Sequence, residues 1–346
     1  VRVNKKYQGA LISVISVVLG LLVGSVLMLL TGYNPMVAFS SIFDATLGSA
    51  YSLGEWITYS VPLILCGLSV GFAYKTGLFN IGAEGQFIVG AFVATYVGAS
   101  FEMANGIHAI VALLAGMTAG MLWGLIPGYL KAYYGVSEVV VTIMLNWIAL
   151  KYTNYLISAF FHSEKMVSET PTILDSASLS VPFLTEMFGG SRINLGFIVA
   201  IIAVMFYSYV LNKTTFGYEI KAVGYSQSAA DYAGVKSKSR VIYTMMIAGA
   251  LAGLAGAVFA LGAPGYLNVS TAFRGYGYDG IVVAMLGNLS GIGIMISGLL
   301  LGALRSGAAY MTGVPAQIVD IMIGTILIFS ALGTFFGKKL FKDGDK

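Results

Sequence analysis

The chain has 346 residues, of which 58% are hydrophobic and 10% charged, with a net charge of +4 and two histidines. Soluble domains carry roughly 45–50% apolar and about 25% charged residues; with a mean hydropathy of +0.85, this composition excludes both a soluble globular enzyme and a disordered chain. A single cysteine, Cys66, excludes a disulfide framework and a multi-cysteine metal site, and the 44 glycines point to helices packed closely within a bilayer.

A membrane-crossing helix needs roughly 20 mainly apolar residues. Ten such segments are predicted, over 8–31, 56–74, 78–99, 108–130, 137–161, 193–211, 241–262, 279–290, 292–310 and 316–336. The whole chain, 1–346, therefore reads as one all-α transmembrane unit with no soluble domain. The first apolar run, Gly9 to Leu30, follows Arg2, Lys5 and Lys6. It is too long for the core of a signal peptide and no small-residue cleavage site follows, so it is expected to stay as an uncleaved helix. Glycine and polar residues interrupt the third and eighth segments, at Asn80–Glu84 and Tyr278–Asp279, so these two helices are expected to be broken or short.

Orientation follows from the basic residues. Arg2, Lys5, Lys6, Lys75, Lys131, Lys213, Lys221, Lys236, Lys238, Arg240, Lys338, Lys339, Lys342 and Lys346, 14 of the 19, fall on one side of a ten-span arrangement with both ends in the cytoplasm. Lys151, Lys165, Arg192, Arg274 and Arg305 fall outside or within a span. Two loops are long. Residues 162–192, with two basic and four acidic residues, lie outside; residues 212–240, with five basic and two acidic residues, lie inside.

Small residues line single helix faces. Gly116, Gly120, Gly124 and Gly128 recur every four residues in the fourth segment, and Ala248, Gly249, Ala252, Gly253, Gly256 and Ala260 do the same in the seventh. Such faces let neighbouring backbones approach closely. Two stretches also look alike, Gly77–Gly85 after Lys75 and Gly275–Gly280 after Arg274. Lys131–Ser137 and Ala308–Pro315 follow them as a second similar pair. The two halves have opposite orientation in this topology, which reads as an inverted repeat of the kind that builds transporters.

Polar groups at membrane depth are costly and mark pathways, pairs or helix ends. Asn80, Glu84, Gln86, Asn146, Trp147, Tyr278 and Asp279 are the candidates for lining a substrate pathway. Capping or helix-dipole pairing is the alternative role for Glu84, Asp279 and Glu138, and helix–helix hydrogen bonding the alternative for Asn146. Lys151 can snorkel to the interface; Arg305 and Asp320 complete the set. Most carboxylates stand near span ends, which counts against a proton relay.

Several motifs fail their physical tests. Gly275–Gly280 matches G-x-G-x-x-G but follows no strand. Gly333–Lys339 is one residue short of a phosphate-binding loop and lacks its Ser/Thr, so no ATP site is expected here. His108 and His162 are far apart, so neither a metal site nor a serine-based triad is expected, and Cys66 is most simply core.

The stretch from Thr215 to Val235 is the most informative. A short helix is predicted from Ser226 to Ala233, started by Ser226 or Ser228 and ended by Gly234. Its small face, Ala229, Ala230 and Ala233, would fit a groove on another protein. Gly217, Ala222, Gly224, Ala229, Ala230 and Gly234 match the pattern G-x-x-x-x-A-x-G-x-x-x-x-A-A-x-x-x-G. Here the sequence resembles ABC-importer permeases of the branched-chain amino acid, ribose and nucleoside class, over about Leu53 to Gly337. Ser226 stands where that family usually has Asn. The stretch G-L-F-N-I-G-A-E-G at Gly77–Gly85 is similar to the nucleoside-type permeases.

The resemblance implies a multi-pass subunit of a bacterial cytoplasmic membrane importer, with no catalysis of its own. Its partners would be a second permease, identical or different, an ABC ATPase that holds the ATP and magnesium, and an extracytoplasmic substrate-binding lipoprotein. The loop residues named above, with Ser226, would couple the permease to the ATPase. A nucleoside is the expected cargo; a permease for a simple sugar such as ribose, or a secondary carrier without an ATPase, are the alternatives. No cofactor, metal or nucleic acid is expected on this chain.

Overall fold

The computed structural model describes residues 5–308, 310–311 and 314–340. Arg2, Lys342 and Lys346 of the orientation reading, and Ala309, Thr312 and Gly313 of the second similar pair, lie outside the described residues. So do the side chains of Lys5, Lys6 and residues 334–340, which include Lys338 and Lys339.

Fourteen α-helices are described. They are α1 (Lys5–Leu30), α2 (Pro35–Leu47), α3 (Ala50–Tyr74), α4 (Ala83–Ser100), α5 (Ile107–Tyr134), α6 (Glu138–Phe160), α7 (Pro182–Met187), α8 (Gly196–Lys213), α9 (Thr215–Tyr225), α10 (Gln227–Tyr232), α11 (Ser237–Gly262), α12 (Tyr276–Leu286), α13 (Gly291–Ala308) and α14 (Ala316–Leu340). The only β contacts among the described residues are two isolated bridges, Glu169 with Asn268 and Ser180 with Asn194. Six helices have stretches long and apolar enough to cross a membrane: Gly9–Leu30, Ala50–Tyr74, Ile107–Tyr134, Gly196–Lys213, Ser237–Gly262 and Gly291–Ala308. The other four predicted segments also contain helices, α4, α6, α12 and α14, which do not meet that measure over the described residues.

The structure corrects the element boundaries at several points. Asn34 and Pro35 start α2, which was not predicted because 13 residues cannot span a bilayer. The Asn34 side chain accepts a hydrogen bond from the Met36 amide at 2.9 Å, and Pro35 occupies the first turn. Helix α3 starts at Ala50, six residues before the predicted start, and is capped by Ser49, which accepts from the Ser52 amide at 3.1 Å. Residues 78–82 are not helical, so α4 begins at Ala83 rather than Leu78. The 212–240 loop carries two helices, α9 as well as the expected short one. The 162–192 segment is not a free loop but lies along the bundle end. Its Leu174, Ile173 and Leu179 amides donate to the carbonyls of Gly98, Gly265 and Leu261, each at 2.9–3.0 Å.

At the centre, α3 and α11 are buried over most of their length. The glycine faces explain how. A Cβ on Gly120 would strike the Gly249 carbonyl oxygen, and one on Gly256 the Phe87 carbonyl oxygen. Thus α5, α11 and α4 meet backbone to backbone. By contrast, nothing lies within 4 Å of a Cβ built on Gly324 of α14. We therefore expect Gly120→Ala to lower the thermal unfolding midpoint in detergent, because overpacking costs about 1–3 kcal/mol and outweighs the ~1 kcal/mol helix-propensity gain. Gly324→Ala should leave the midpoint unchanged or raise it; equal shifts in both variants would refute this account of the packing.

Candidate functional site

The break at residues 78–82 places the start of α4 inside the bundle, where it meets the start of α12. The two helices run in opposite directions from that point. The far end of α4 lies beside the 162–192 segment, where a Cβ on Gly98 would touch Ala177. The far end of α12 reaches α1 at the other end of the bundle, where the Ser13 hydroxyl donates to the Leu286 carbonyl at 2.6 Å. Gly275, with φ of +88°, turns the chain into α12, and a Cβ on Gly277 would collide with the Glu84 backbone. Only glycine permits that approach.

Glu84 occupies the junction and is fully buried. Its Oε1 accepts from the Gly275 amide at 2.9 Å and its Oε2 from the Gly277 amide at 2.6 Å. Capping is the alternative role named for Glu84 from the sequence, and here its carboxylate caps the start of α12, 191 residues away in sequence. Each helix N-terminus carries roughly half a positive charge, so one carboxylate between two of them is electrostatically matched.

Asn146, Asn80 and Gln86 bond to the chain around the start of α4. Asn146 of α6 is buried; its Oδ1 accepts from the Gly85 amide at 2.8 Å, and its Nδ2 donates to the Ile81 carbonyl at 3.0 Å and the Tyr278 hydroxyl at 3.2 Å. Asn80 and Gln86 are buried against each other, with Asn80 Nδ2 donating to Gln86 Oε1 at 2.9 Å and to Ser69 Oγ at 3.2 Å. These four polar side chains thus spend their hydrogen bonds on the protein. Trp147, the next residue along α6, is 49% exposed and packs on Phe273 at 4.6 Å between ring centroids; Phe273 in turn meets Tyr278 at 5.6 Å. Phe273 was not singled out from the sequence because it lies in a connection that carries no periodicity.

Asp279 turns the other way. Its carboxylate accepts from Arg305 Nε at 2.7 Å and Nη2 at 2.9 Å, while Arg305 Nη1 reaches Asp320. The acidic residues of α12 and α14 are therefore clasped by one guanidinium of α13. Asp279 and Arg305 line a cavity of about 500 Å³, whose wall also includes Arg192, Ala263 and Pro264 at the end of the bundle where the 162–192 segment lies. Arg192 and Tyr59 flank it, and Arg192 is held by Glu55 of α3: its backbone amide donates to Oε1 at 2.7 Å and its Nε to Oε2 at 3.0 Å. Glu55 escaped notice because the predicted span began one residue after it.

At the opposite end, α9 and α10 lie against the turn that follows α3. Ser226 ends α9 and caps α10, accepting from the Ala229 amide at 3.3 Å; Gly234, with φ of +85°, terminates it. The small face expected to meet a partner is divided. Ala230 is buried beside Ala73, Leu78, Val223 and Met245, while Ala229 and Ala233 are exposed. Two large side chains flank them in the open, Tyr225 at 92% and Tyr232 at 95% exposure. Gly217 packs on the end of α8 with its amide bonded to Thr214 Oγ1 at 3.0 Å, and Ala222 is half-buried. A Cβ on Gly224 would strike the Lys75 carbonyl oxygen. Burial, and then the nearby Lys221 charge, push the Lys75 ammonium below its ordinary range. Thr76 is tied to Thr244 of α11 by a 3.0 Å hydroxyl contact.

The remaining sequence candidates are placed as follows. Cys66 is buried in α3, and His108 is buried with its ring nitrogens 2.8 Å from Ser176 Oγ and 3.1 Å from the Val97 carbonyl. Glu138 pairs with Lys131 at 2.8 Å across the α5–α6 turn. Lys151 and His162 are exposed. Among the described residues, no three His, Cys, Asp or Glu side chains are grouped to hold a metal.

The chain is 44% identical over 332 residues to the guanosine ABC transporter permease protein NupP of Bacillus subtilis, covering 94% of each chain. It is 38% identical over 336 residues to the nucleoside ABC transporter permease protein NupB of Lactococcus lactis, covering 95% of this chain and 92% of the relative. A glucose ABC transporter permease protein of Haloferax volcanii is 31% identical over 338 residues, covering 93% and 87%. No solved structure matches. Residues 52–331 match the family described as the branched-chain amino acid transport system permease component, and the chain belongs to that family.

Proposed function

We propose that this chain is the permease subunit of an ATP-driven importer that moves nucleosides across a bacterial cytoplasmic membrane. The observation that carries the reading is near-full-length likeness to two nucleoside permeases. In this reading α1, α3, α4, α5, α6, α8, α11, α12, α13 and α14 supply ten passages, with α12 completed by the non-helical segment before it. The termini and α10 lie in the cytoplasm, and the 162–192 segment faces outward, where a loaded binding lipoprotein docks. The opposed starts of α4 and α12 support the inverted-repeat reading.

Two permeases and two ATPases complete the assembly. Trp147, Lys151 and Tyr152 are exposed on α6, and a lysine facing lipid at mid-helix is costly, so the second permease packs against this face. Trp147, Tyr278 and the neighbouring Phe273 then border the pathway, where ring faces suit a nucleobase. Asn146, Asn80, Gln86 and Glu84 hold the junction behind them, and Asp279 meets the pathway from the cavity side. ATP and magnesium belong to the partner ATPase. ATP-driven closure of the ATPases moves α10, and the motion passes through Gly217, Ala222 and Gly224 to the turn at 75–77. Ser226, Ala229, Ala230 and Gly234 shape the lever itself. The glucose permease relative favours a simple sugar as the second reading.

Reconstitution in proteoliposomes with the ATPase and binding protein tests the function. Labelled nucleoside should enter only with ATP, and a sugar should not compete; ATP-independent uptake, or uptake of sugar alone, would refute the proposal. In the same system, Ala229→Arg on the exposed face of α10 should abolish import and substrate-stimulated ATP hydrolysis while the permease still elutes as a folded species. Full import by that variant would remove α10 from the coupling surface. Asn146→Ala leaves the buried Gly85 amide unpartnered, a loss of about 1–3 kcal/mol, and should lower the uptake rate several-fold. A wild-type rate would exclude Asn146 from any role in transport.

A further inference from the structure

The cavity at the 162–192 end has a chemistry that the pathway residues do not explain. Its wall carries two guanidinium groups laid over aromatic rings, Arg192 over Tyr59 at 5.9 Å and Arg274 over Phe259 at 5.0 Å. Phe259 belongs to a ring cluster with Tyr276 and Phe87, at centroid distances of 5.3–5.6 Å. The ionised groups divide unequally in use. Arg192 is consumed by Glu55, and Arg305 by Asp279 and Asp320. Among the described residues Arg274 forms no ion pair, and it is exposed at the cavity wall.

The charges at the wall nearly cancel. Arg192 with Glu55 is neutral, Arg305 with two aspartates carries one negative charge that Arg274 offsets, and the buried Glu84 carboxylate beside Gly275 leaves one negative charge over. A dianionic phosphate would add to that negative charge, whereas a neutral ligand would not. Aromatic walls suit a flat ring, and a free planar guanidinium offers two parallel N–H donors that match two adjacent acceptors. The O6 and N7 atoms of a 6-oxopurine form such a pair, while adenine presents an amino donor beside N7. A volume of about 500 Å³ lies within the range of small-molecule sites, roughly 300–1,000 Å³.

We infer that this cavity is a receiving site for a 6-oxopurine nucleoside, with Arg274 as the residue that selects the 6-oxo group. The inference rests on the nucleoside-importer reading. It places a specificity element in the permease itself, just before the junction of α4 and α12.

Equilibrium binding to the complete permease–ATPase complex in nanodiscs, without the binding protein, tests it. The unaltered complex should bind guanosine roughly ten-fold or more tightly than adenosine. Arg274→Ala should erase that preference, and so should Arg274→Lys, which keeps the charge over Phe259 but not the two-pronged donor. The preference is a ratio within one preparation, so a partial loss of folded protein does not mimic its disappearance. Equal affinities in the unaltered complex, a preference retained in both variants, or tighter binding of guanosine monophosphate than guanosine would overturn the assignment. ATP-driven nucleoside import by the unaltered transporter, measured alongside, separates the two claims. If import occurs and the binding preference does not, the receiving site alone is wrong; if no nucleoside is imported, the importer reading falls and the site with it.

Discussion

Two helices begin at one buried point, and a single carboxylate lets them do so. The starts of α4 and α12 each present unpaired amides and partial positive charge to the bundle interior. Without a partner they would repel each other and leave buried donors unsatisfied. Glu84 accepts from two of the α12 amides while being part of the first turn of α4. Much else follows from that bond: the glycines at 275 and 277, the non-helical stretch before α4, and Asn146 reaching from α6 to the same spot.

The junction lies between two features with different chemistry. Toward the 162–192 end is the cavity with its arginines and aromatic rings. Toward the other end, the chain that breaks before α4 runs back through Gly77 and Thr76 to the contact with Gly224. Few residues separate α9 from Glu84, and they are tightly packed. Such a chain of contacts transmits displacement because packed interfaces change between discrete arrangements rather than deforming smoothly. The proposed stroke of α10 would therefore be felt first at the turn 75–77 and next at the start of α4.

Much of this was legible in the amino-acid order. Each predicted apolar segment contains a helix, and six of those helices are long and apolar enough to cross a membrane, because apolar length is a strong signal in a chain this poor in charge. The spacing Gly116, Gly120, Gly124, Gly128 and its counterpart in α11 announced the close packing. The helix at Ala229, with Ser226 before it and Gly234 after it, was written in its caps. Asn80, Glu84, Gln86, Asn146 and Tyr278 stand out in the sequence as polar groups at membrane depth, and the structure brings them to one junction. Their partners were not legible: Glu84 reaches across 191 residues to Gly275, a distance local pattern does not encode. Helix α2 stayed hidden because it is shorter than a span, although Asn34 and Pro35 mark its start. The cavity was missed for a related reason. Arg192, Arg274 and Arg305 come from separate connections or helix ends, and only the fold shows that they face one space.

Amide hydrogen exchange in lipid nanodiscs reads the central bond directly. Glu84→Gln keeps the size of the side chain but leaves one acceptor where two are used. If the carboxylate holds the two helix starts together, exchange across 274–278 should accelerate roughly ten-fold or more, since an unsatisfied buried amide costs about 1–3 kcal/mol. The segment 112–128 of α5 should keep its protection. Unchanged protection across 274–278 in that variant would contradict the account.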